Sequence, residues 1–126
     1  TQMVKQQKGI IVNMSSILGK VGFATSSHYV AAKHGVIGLT QTAALEYAAD
    51  GIRINAICPG FIDTPLLSKA GITETPEVKQ HIIDLHPVKR LGKSEEIASG
   101  FIFLATEDSS FITGTALEIE GGYLSQ

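Results

Sequence analysis

The chain has 126 residues, of which 44% are hydrophobic and 17% are charged, a composition that is typical of one globular domain and excludes a disordered chain. Ten basic and twelve acidic residues give a net charge of −2, so the sequence predicts no nucleic acid partner. No apolar run approaches the ~18 residues of a membrane span, and we therefore expect a cytoplasmic protein that makes no membrane contact.

The first half of the chain predicts a strand, a long helix and a second strand. The segment "GIIVNMSS", residues 9–16, is apolar without alternation, which favours a strand buried on both faces of a parallel sheet. Helical spacing runs from residue 27 to residue 50 and Gly51 ends it. The segment "IRINAICPG", residues 52–60, predicts the second buried strand and contains Cys58, which we interpret as a buried thiol. Strand, helix and strand form a parallel crossover unit.

Two apolar stripes run along the 27–50 helix, and two stripes imply two packing partners. We expect the first stripe to face the sheet, and the second to face another helix of the same chain or of a second subunit. The first stripe consists of Ala32, Val36, Leu39 and Ala43, and the second of Val30, Ile37, Ala44 and Ala48.

Residues 61–93 mix prolines, glycines and polar residues with short apolar groups, and we interpret them as a flap. It includes one short helix, with Thr75 as N-cap and Pro76 as its first residue. Apolar side chains such as Leu66, Leu67, Ile72, Ile82 and Ile83 are expected to pack the flap on the sheet rather than to line a pocket.

The last third of the chain predicts a helix and a final strand. The segment "KSEEIASGFIFLAT" favours a helix with Ser94 as N-cap and with Ile97, Phe101 and Leu104 on one face, and "TGTALEIEGG" favours a strand. The order β, α, β, flap, α, β predicts an α/β fold with a mainly parallel sheet. Sheets commonly have about five strands, so we expect three strands to represent a fragment that lacks its amino-terminal part.

Side chains able to do chemistry gather where the first two predicted strands end. Ser15 and Ser16 end the first strand, while Tyr29 and Lys33 lie four apart at the start of the helix, on one face. A fixed ammonium group near a phenol stabilises the phenolate, which favours acid–base catalysis by the tyrosine. A serine hydroxyl can donate to a carbonyl oxygen, so the set suits interconversion of a carbonyl and an alcohol. A Tyr-x-x-x-Lys spacing also arises by chance, and serines often end strands.

The order of these segments resembles the short-chain dehydrogenase/reductase family over residues 9–123. The resemblance is carried by a serine thirteen residues before the tyrosine of Y-x-x-x-K, then N-A-x-x-P-G, I-x-T and a terminal G-G. It implies a Rossmann-like, doubly wound, mainly parallel sheet and an oxidoreductase that uses NAD or NADP. Neither a T-G-x-x-x-G-x-G loop nor N-N-A-G is present. The resemblance thus makes residues 1–126 the carboxyl-terminal portion of one domain, with the amino-terminal dinucleotide-binding half absent and the choice between NAD and NADP open.

The resemblance also implies roles for individual residues. Tyr29 becomes the general acid in carbonyl reduction and the general base in alcohol oxidation, while Lys33 assists it and binds the nicotinamide ribose hydroxyls. Ser16, rather than Ser15, matches the serine that orients the substrate.

A second set of residues is implied to bind the cofactor. Pro59 and Gly60 would shape the nicotinamide pocket, and Ile62 would offer backbone groups to the carboxamide. Thr64 would place its hydroxyl near the carboxamide or the phosphates. The flap and the loop at residues 17–27 would determine substrate specificity. The resemblance does not distinguish between 3-oxoacyl-carrier-protein, sugar and cyclic-alcohol substrates.

Other polar residues receive structural interpretations. Asn13 and Asn55 lie inside strands, where an amide must find internal partners. The four histidines lack metal-ligand spacing, so we expect no metal and interpret them as surface or pocket-lining residues. These histidines are His28, His34, His81 and His86.

Two alternatives to an active enzyme of this family remain. The resemblance implies a homotetramer that pairs through the 27–50 helix. Because that helix has two apolar faces and the glycine-rich phosphate loop is missing, the chain could instead be an inactive truncated fragment that only self-associates. A nucleotide-sugar epimerase with the same tyrosine and lysine is disfavoured, because the "PGFIDT" run and the short terminal strand match the reductases better.

Overall fold

The computed structural model of the chain describes residues 2–126, and three strands form a single parallel sheet in it. The strands are β1 (Gly9–Met14), β2 (Ile52–Pro59) and β3 (Ala116–Ile119), in the spatial order β1-β2-β3. The β1–β2 ladder begins with Gly9 opposite Ile52, and the β2–β3 ladder ends with Pro59 opposite Ile119. The predicted α/β class with a parallel sheet is confirmed.

Five α-helices and four short 3₁₀ turns accompany the sheet in the described part of the chain. The helices are α1 (Gln2–Gln6), α2 (Ser27–Tyr47), α3 (Pro65–Lys69), α4 (Pro76–Asp84) and α5 (Ser94–Ala105). The 3₁₀ turns are Ile17–Gly19, Ala48–Asp50, Glu107–Ser109 and Tyr123–Ser125. Among residues 2–126, no helix combines the length and the hydrophobicity needed to cross a membrane.

Burial differs between the two long strands. The central strand β2 is almost fully buried, with Ala56, Ile57 and Cys58 inaccessible to solvent. In β1, by contrast, Ile11 is 36% exposed and Met14 is 48% exposed. Burial on both faces is therefore confirmed for β2 and wrong for β1, because β1 is an edge strand with one ladder partner among the described residues.

Helix α2 crosses from β1 to β2 and ends as the sequence predicts. A 3₁₀ turn follows Tyr47, and Gly51 has the left-handed conformation, with φ at 71°, that a glycine at a helix end adopts most readily. The orientation of the helix differs from the expectation. Ala44, from the second stripe, is buried against Ile52 and Ile54, whereas Leu39, from the first stripe, is 65% exposed.

The orientation of α2 depends on a polar residue that the apolar stripes omit. Thr40 is 1% exposed, and its hydroxyl donates to the carbonyl of Val36 at 2.7 Å. The same oxygen accepts a hydrogen bond from the side-chain amide of Asn13 in β1 at 2.9 Å. Because the Thr40 hydroxyl and the Asn13 side-chain amide both have hydrogen-bond partners, a threonine can occupy the position where the helix contacts the sheet. The helix is thereby rotated so that Leu39 of the first stripe points outward, while Ala43 of the same stripe still packs against the buried cluster.

The flap is packed rather than loose. Thr75 is the N-cap of α4, where its hydroxyl accepts from the amide of Val78 at 3.3 Å, and Pro76 is the first helical residue, as predicted. One apolar cluster joins the flap to the 3₁₀ turn after β1. Its buried members are Ile17, Leu18, Phe61, Leu67, Ile82 and Leu91.

Helix α5 begins one residue away from the predicted cap. Lys93 is the N-cap and Ser94 is the first helical residue, because the carboxylate of Glu96 accepts the backbone amide of Lys93 at 2.8 Å. Of the residues predicted to share one face of this helix, Leu104 is fully buried whereas Phe101 is 44% exposed. Gly100 takes the inner position, where an added Cβ would collide with the side chain of Ile119.

Candidate active site

The predicted site residues follow the carboxyl ends of neighbouring strands. Parallel strands end at the same edge of a sheet, and open α/β sheets bind their ligands at that edge. Ser15 and Ser16 follow β1, the segment 60–64 follows β2, and the segment 120–122 follows β3. Three stretches that are far apart in sequence therefore meet at one edge.

Tyr29 and Lys33 lie together in the first two turns of α2, as their spacing predicts. The ammonium Nζ of Lys33 is 5.4 Å from the centroid of the Tyr29 ring. The same Nζ donates a hydrogen bond to the carbonyl of Met14, the last residue of β1, at 3.0 Å. The cation is thus anchored to the strand end, beside a tyrosine that is 39% exposed and open to a ligand.

Ser15 holds the backbone of α2 at this point. It is 3% exposed, and its hydroxyl donates to the carbonyl of Lys33 at 2.9 Å. Its amide donates to the carbonyl of Ile57 in β2 at 2.8 Å. Ser15 therefore fixes the position of Lys33 relative to the sheet. Nothing in the sequence distinguishes it in this role from Ser16, because the contact depends on how α2 packs.

Ser16 starts the 3₁₀ turn that follows β1. Its hydroxyl oxygen accepts from the amide of Leu18 at 3.1 Å, and the residue is 9% exposed. A hydroxyl has one donor and two acceptor sites, so the bond to Leu18 leaves the hydroxyl proton available. Ser16 can therefore still donate to an oxygen at the sheet edge.

Pro59 and Gly60 end β2 against β3. The amide of Gly60 donates to the carbonyl of Ile119 at 3.0 Å. A Cβ on Gly60 would lie 2.9 Å from the Cα of Glu120, which is closer than the backbone can accommodate. Glycine is therefore needed for the two chain segments to approach here.

Ile62 lies in a short parallel bridge with Gly92. The amide of Gly92 donates to the carbonyl of Phe61 at 3.0 Å, and the amide of Asp63 donates to the carbonyl of Gly92 at 2.9 Å. Backbone groups of successive residues in such a bridge point to opposite sides. Among residues 2–126, neither backbone group of Ile62 has a hydrogen-bond partner, so both are available to a ligand.

Thr64 precedes α3 in the N-cap position. Its backbone is extended and its side chain makes no capping hydrogen bond. The hydroxyl therefore remains available for another partner. Of the four residues that the resemblance assigns to the cofactor after β2, Ile62 and Thr64 thus offer free polar groups, while Pro59 and Gly60 shape the turn.

Three of the four histidines lie on the surface, and His86 lines a cleft. His28, His34 and His81 are exposed, whereas His86 is 2% exposed. The cleft has a volume of about 140 Å³. Its lining includes Gly60, Phe61, Ile62, His86, Arg90 and Gly121. Within residues 2–126, no group of three or more His, Cys, Asp or Glu side chains is placed to hold a metal ion.

Cys58 is a buried free thiol, as predicted. Burial raises its pKa, and the nearby Lys20 ammonium only partly opposes that effect. A thiol that is kept protonated and away from solvent is a poor nucleophile. Cys58 therefore contributes to the core and not to the chemistry of the edge.

A comparison with known families shows the family of the chain. A family model described as enoyl-(acyl carrier protein) reductase matches residues 1–124. Relatives of the chain are dehydrogenases and reductases, and its structural neighbours share the Rossmann-type sheet. The chain belongs to the short-chain dehydrogenase/reductase family.

Individual relatives show how much of such a protein the chain represents. Cyclohexanol dehydrogenase of Acinetobacter sp. is 48% identical over 118 residues, which are 94% of this chain and 44% of the relative. Cis-4-hydroxycyclohexanecarboxylate dehydrogenase of Sinomonas cyclohexanicum is 50% identical over 115 residues, 91% of this chain and 45% of the relative. The structure described as ElxO with NADP bound superimposes with a TM-score of 0.90 at 48% identity, covering 99% of this chain and 50% of that one. The chain spans about half the length of these proteins.

Proposed function

We propose that the protein containing this chain is an NAD(P)-dependent oxidoreductase that interconverts a carbonyl and a secondary alcohol. The observation that carries the proposal is the Lys33 ammonium, held 5.4 Å from the Tyr29 ring and bonded to the end of β1. Relatives named as dehydrogenases of cyclic alcohols, and a neighbour with NADP bound, support it. The order of Ser16, Tyr29, Lys33 and the segment 59–64 resembles the carboxyl-terminal half of the family, so we propose that the chain represents that half.

The free polar groups at the sheet edge fit the nicotinamide end of such a cofactor. Lys33 would bind the ribose hydroxyls, and the unpaired amide and carbonyl of Ile62 would bind the carboxamide. The Thr64 hydroxyl would add a contact to the carboxamide or the phosphates. When bound, the cofactor supplies or accepts the hydride at the carbonyl carbon. NAD and NADP both suit these groups.

The residues of this chain would transfer the proton and stabilise the charge on the substrate oxygen. During reduction Tyr29 donates its hydroxyl proton to the substrate oxygen, so that two electrons and two hydrogens convert the carbonyl into an alcohol. During oxidation the Tyr29 phenolate takes the proton back. The Lys33 ammonium lies beside the Tyr29 ring, and Ser16 donates a hydrogen bond to the substrate oxygen.

Replacing Tyr29 tests this assignment in the protein at its natural length. General acid–base catalysis contributes roughly 10²–10⁴-fold, so Tyr29→Phe should lower kcat by at least about 100-fold. The dissociation constant of NADH or NADPH, measured by fluorescence titration, should stay near that of the wild type because the ring remains. Tyr47→Phe is the matched control, since Tyr47 lies at the other end of the same helix and is 37% exposed. Turnover retained by Tyr29→Phe would refute the proposal.

A second candidate is that the 126-residue chain acts only as a self-association module. It is favoured by exposed apolar side chains on α2, since Leu39 is 65% exposed and Leu45 is 85% exposed. A contiguous apolar patch marks an interaction site, and the candidate takes these side chains as parts of such a patch in a homo-oligomer formed through residues 27–50. Titration of this chain with NADH and NADPH distinguishes the two candidates, because micromolar binding would contradict a module without cofactor affinity.

A further inference from the structure

We propose that His86 is a positioning residue that holds the loop Gly60–Thr64 in the conformation that presents Ile62 to the cofactor. The inference rests on the proposed function for the choice of ligand. It extends that function to a residue of the flap, 24 positions beyond Ile62, that no sequence motif connects with the site.

The hydrogen-bond partners of His86 determine which ring nitrogen carries the proton. Nδ1 lies 2.8 Å from the carbonyl oxygen of Ile82, which can only accept. Nε2 lies 3.4 Å from the backbone amide of Phe61, which can only donate. A neutral imidazole has one donor and one acceptor nitrogen, so Nδ1 is protonated and Nε2 accepts. Because His86 is 2% exposed and Phe61 is 8% exposed, no water can easily replace either partner.

The hydrogen bond from the Phe61 amide is one of two that fix the backbone of the loop. The carbonyl of Phe61 accepts from Gly92 at 3.0 Å, and its amide donates to His86. Both backbone groups of Phe61 are therefore occupied by the segment that leaves α4. The two peptide units that flank Phe61 are therefore fixed, and they determine the direction of the chain at Ile62. Within residues 2–126, the amide and the carbonyl of Ile62 are left free.

Packing alone would not require a histidine at this position. The His86 ring meets the Phe61 ring edge-on at 5.7 Å and the Tyr123 ring at 5.5 Å, contacts that a phenylalanine could also make. A phenylalanine would leave the buried amide of Phe61 without an acceptor, which is the costly outcome for a backbone group. The acceptor nitrogen is thus the specific contribution of His86.

Two substitutions by amide side chains distinguish the effect of the acceptor nitrogen of His86 from the effect of its ring packing. In His86→Gln the side-chain oxygen can reach the position of Nε2 and accept from Phe61. In His86→Asn the side chain ends near the position of Nδ1, where it can donate to Ile82 but cannot reach Phe61. Loss of one such hydrogen bond corresponds to about a tenfold change in an equilibrium constant.

The test is made in the protein at its natural length, with NADH and NADPH as probes. We expect His86→Asn to raise the dissociation constant and the KM of the preferred cofactor about tenfold, with a much smaller change in kcat. His86→Gln should restore cofactor affinity to near the wild-type value. A purely structural role predicts instead that both variants lower Tm while leaving cofactor affinity unchanged.

Three results would overturn the inference, and they can be told apart. Equal cofactor affinities of the Asn and Gln variants refute the positioning role alone. A wild-type protein that binds neither NADH nor NADPH refutes the proposed function and the positioning role with it. Long-range proton–nitrogen NMR of the wild type needs no variant to fold, and a protonated Nε2 on His86 would exclude the acceptor role.

Discussion

Replacing Asn55 tests how the loop that leads into β3 is attached to β2. It is fully buried in β2, where its amide group bonds the loop that leads into β3. Its Nδ2 donates to the carbonyl of Ile112 at 3.0 Å, and its Oδ1 accepts from the amide of Thr115 at 3.1 Å. The side chain therefore ties the loop to β2 just before the β2–β3 ladder begins at Ala56, in addition to the backbone bonds from Gly114 to Ile54 and from Ala56 to Thr115.

The cost of Asn55→Ala follows from what each partner retains. The carbonyl of Ile112 keeps a second donor, because the Arg53 guanidinium contacts it at 3.2 Å, so this loss is about 1 kcal/mol. The amide of Thr115 keeps no partner among the described residues, and a donor left unsatisfied costs about 1–3 kcal/mol. Together we expect the free energy of unfolding to fall by about 3 kcal/mol. For a chain of this size that corresponds to a Tm lower by roughly 10 °C.

Equilibrium urea unfolding of the full chain measures this difference, and Asn13→Ala is its matched control. Asn13 carries the same side chain on the neighbouring strand, opposite Ala56, and makes one hydrogen bond, to Thr40. Because the Thr40 hydroxyl keeps its bond to Val36, we expect a loss of only about 1 kcal/mol. Equal losses for the two variants would refute the assignment of Asn55 as the brace of the β3 loop.

Three further predictions concern the surface and the core. Hydrogen bonds from Arg90 and then from the Lys93 amide lower the pKa of Glu96 to about 2. The stabilisation of the folded state by ionised Glu96 is therefore full above the ordinary pKa of 4.5 and is lost as pH falls through 2. The Tm difference between wild type and Glu96→Gln should vanish near pH 2, and a Tm difference that stays constant from about pH 5 to pH 2 would contradict this prediction. Burial raises the pKa of the Cys58 thiol, so iodoacetamide should label Cys58 only after denaturation, as mass spectrometry can check. Leu45→Asp should shift sedimentation to smaller species without lowering the stability of the monomer, since Leu45 is 85% exposed; an unchanged sedimentation coefficient would exclude this face as an interface.

Several elements could be predicted from the sequence because their signals are local. The bounds of α2, its end at Gly51 and the cap of α4 at Thr75 depend on residues within one or two turns. The proximity of Tyr29 and Lys33 is equally local, since residues four apart share a helix face. The roles of these residues in catalysis remain proposals.

Other features depend on partners that lie far away along the chain. The orientation of α2 is decided by Thr40 and Asn13, which are 27 positions apart. Burial of β1 depends on its place in the sheet rather than on its apolar composition. A periodic pattern reports how apolar a face is, but it does not report which neighbour covers that face.

The sequence by itself determined the α/β class, the order of the elements and the residues that could exchange a proton. Only the tertiary structure showed that the Lys33 ammonium is bound to the end of β1, that Ser15 fixes the backbone beside it, and that His86 reaches Phe61 across 25 positions. The physical reason is that helices and strands follow from nearest neighbours, whereas a buried hydrogen bond forms wherever packing brings a donor to an acceptor.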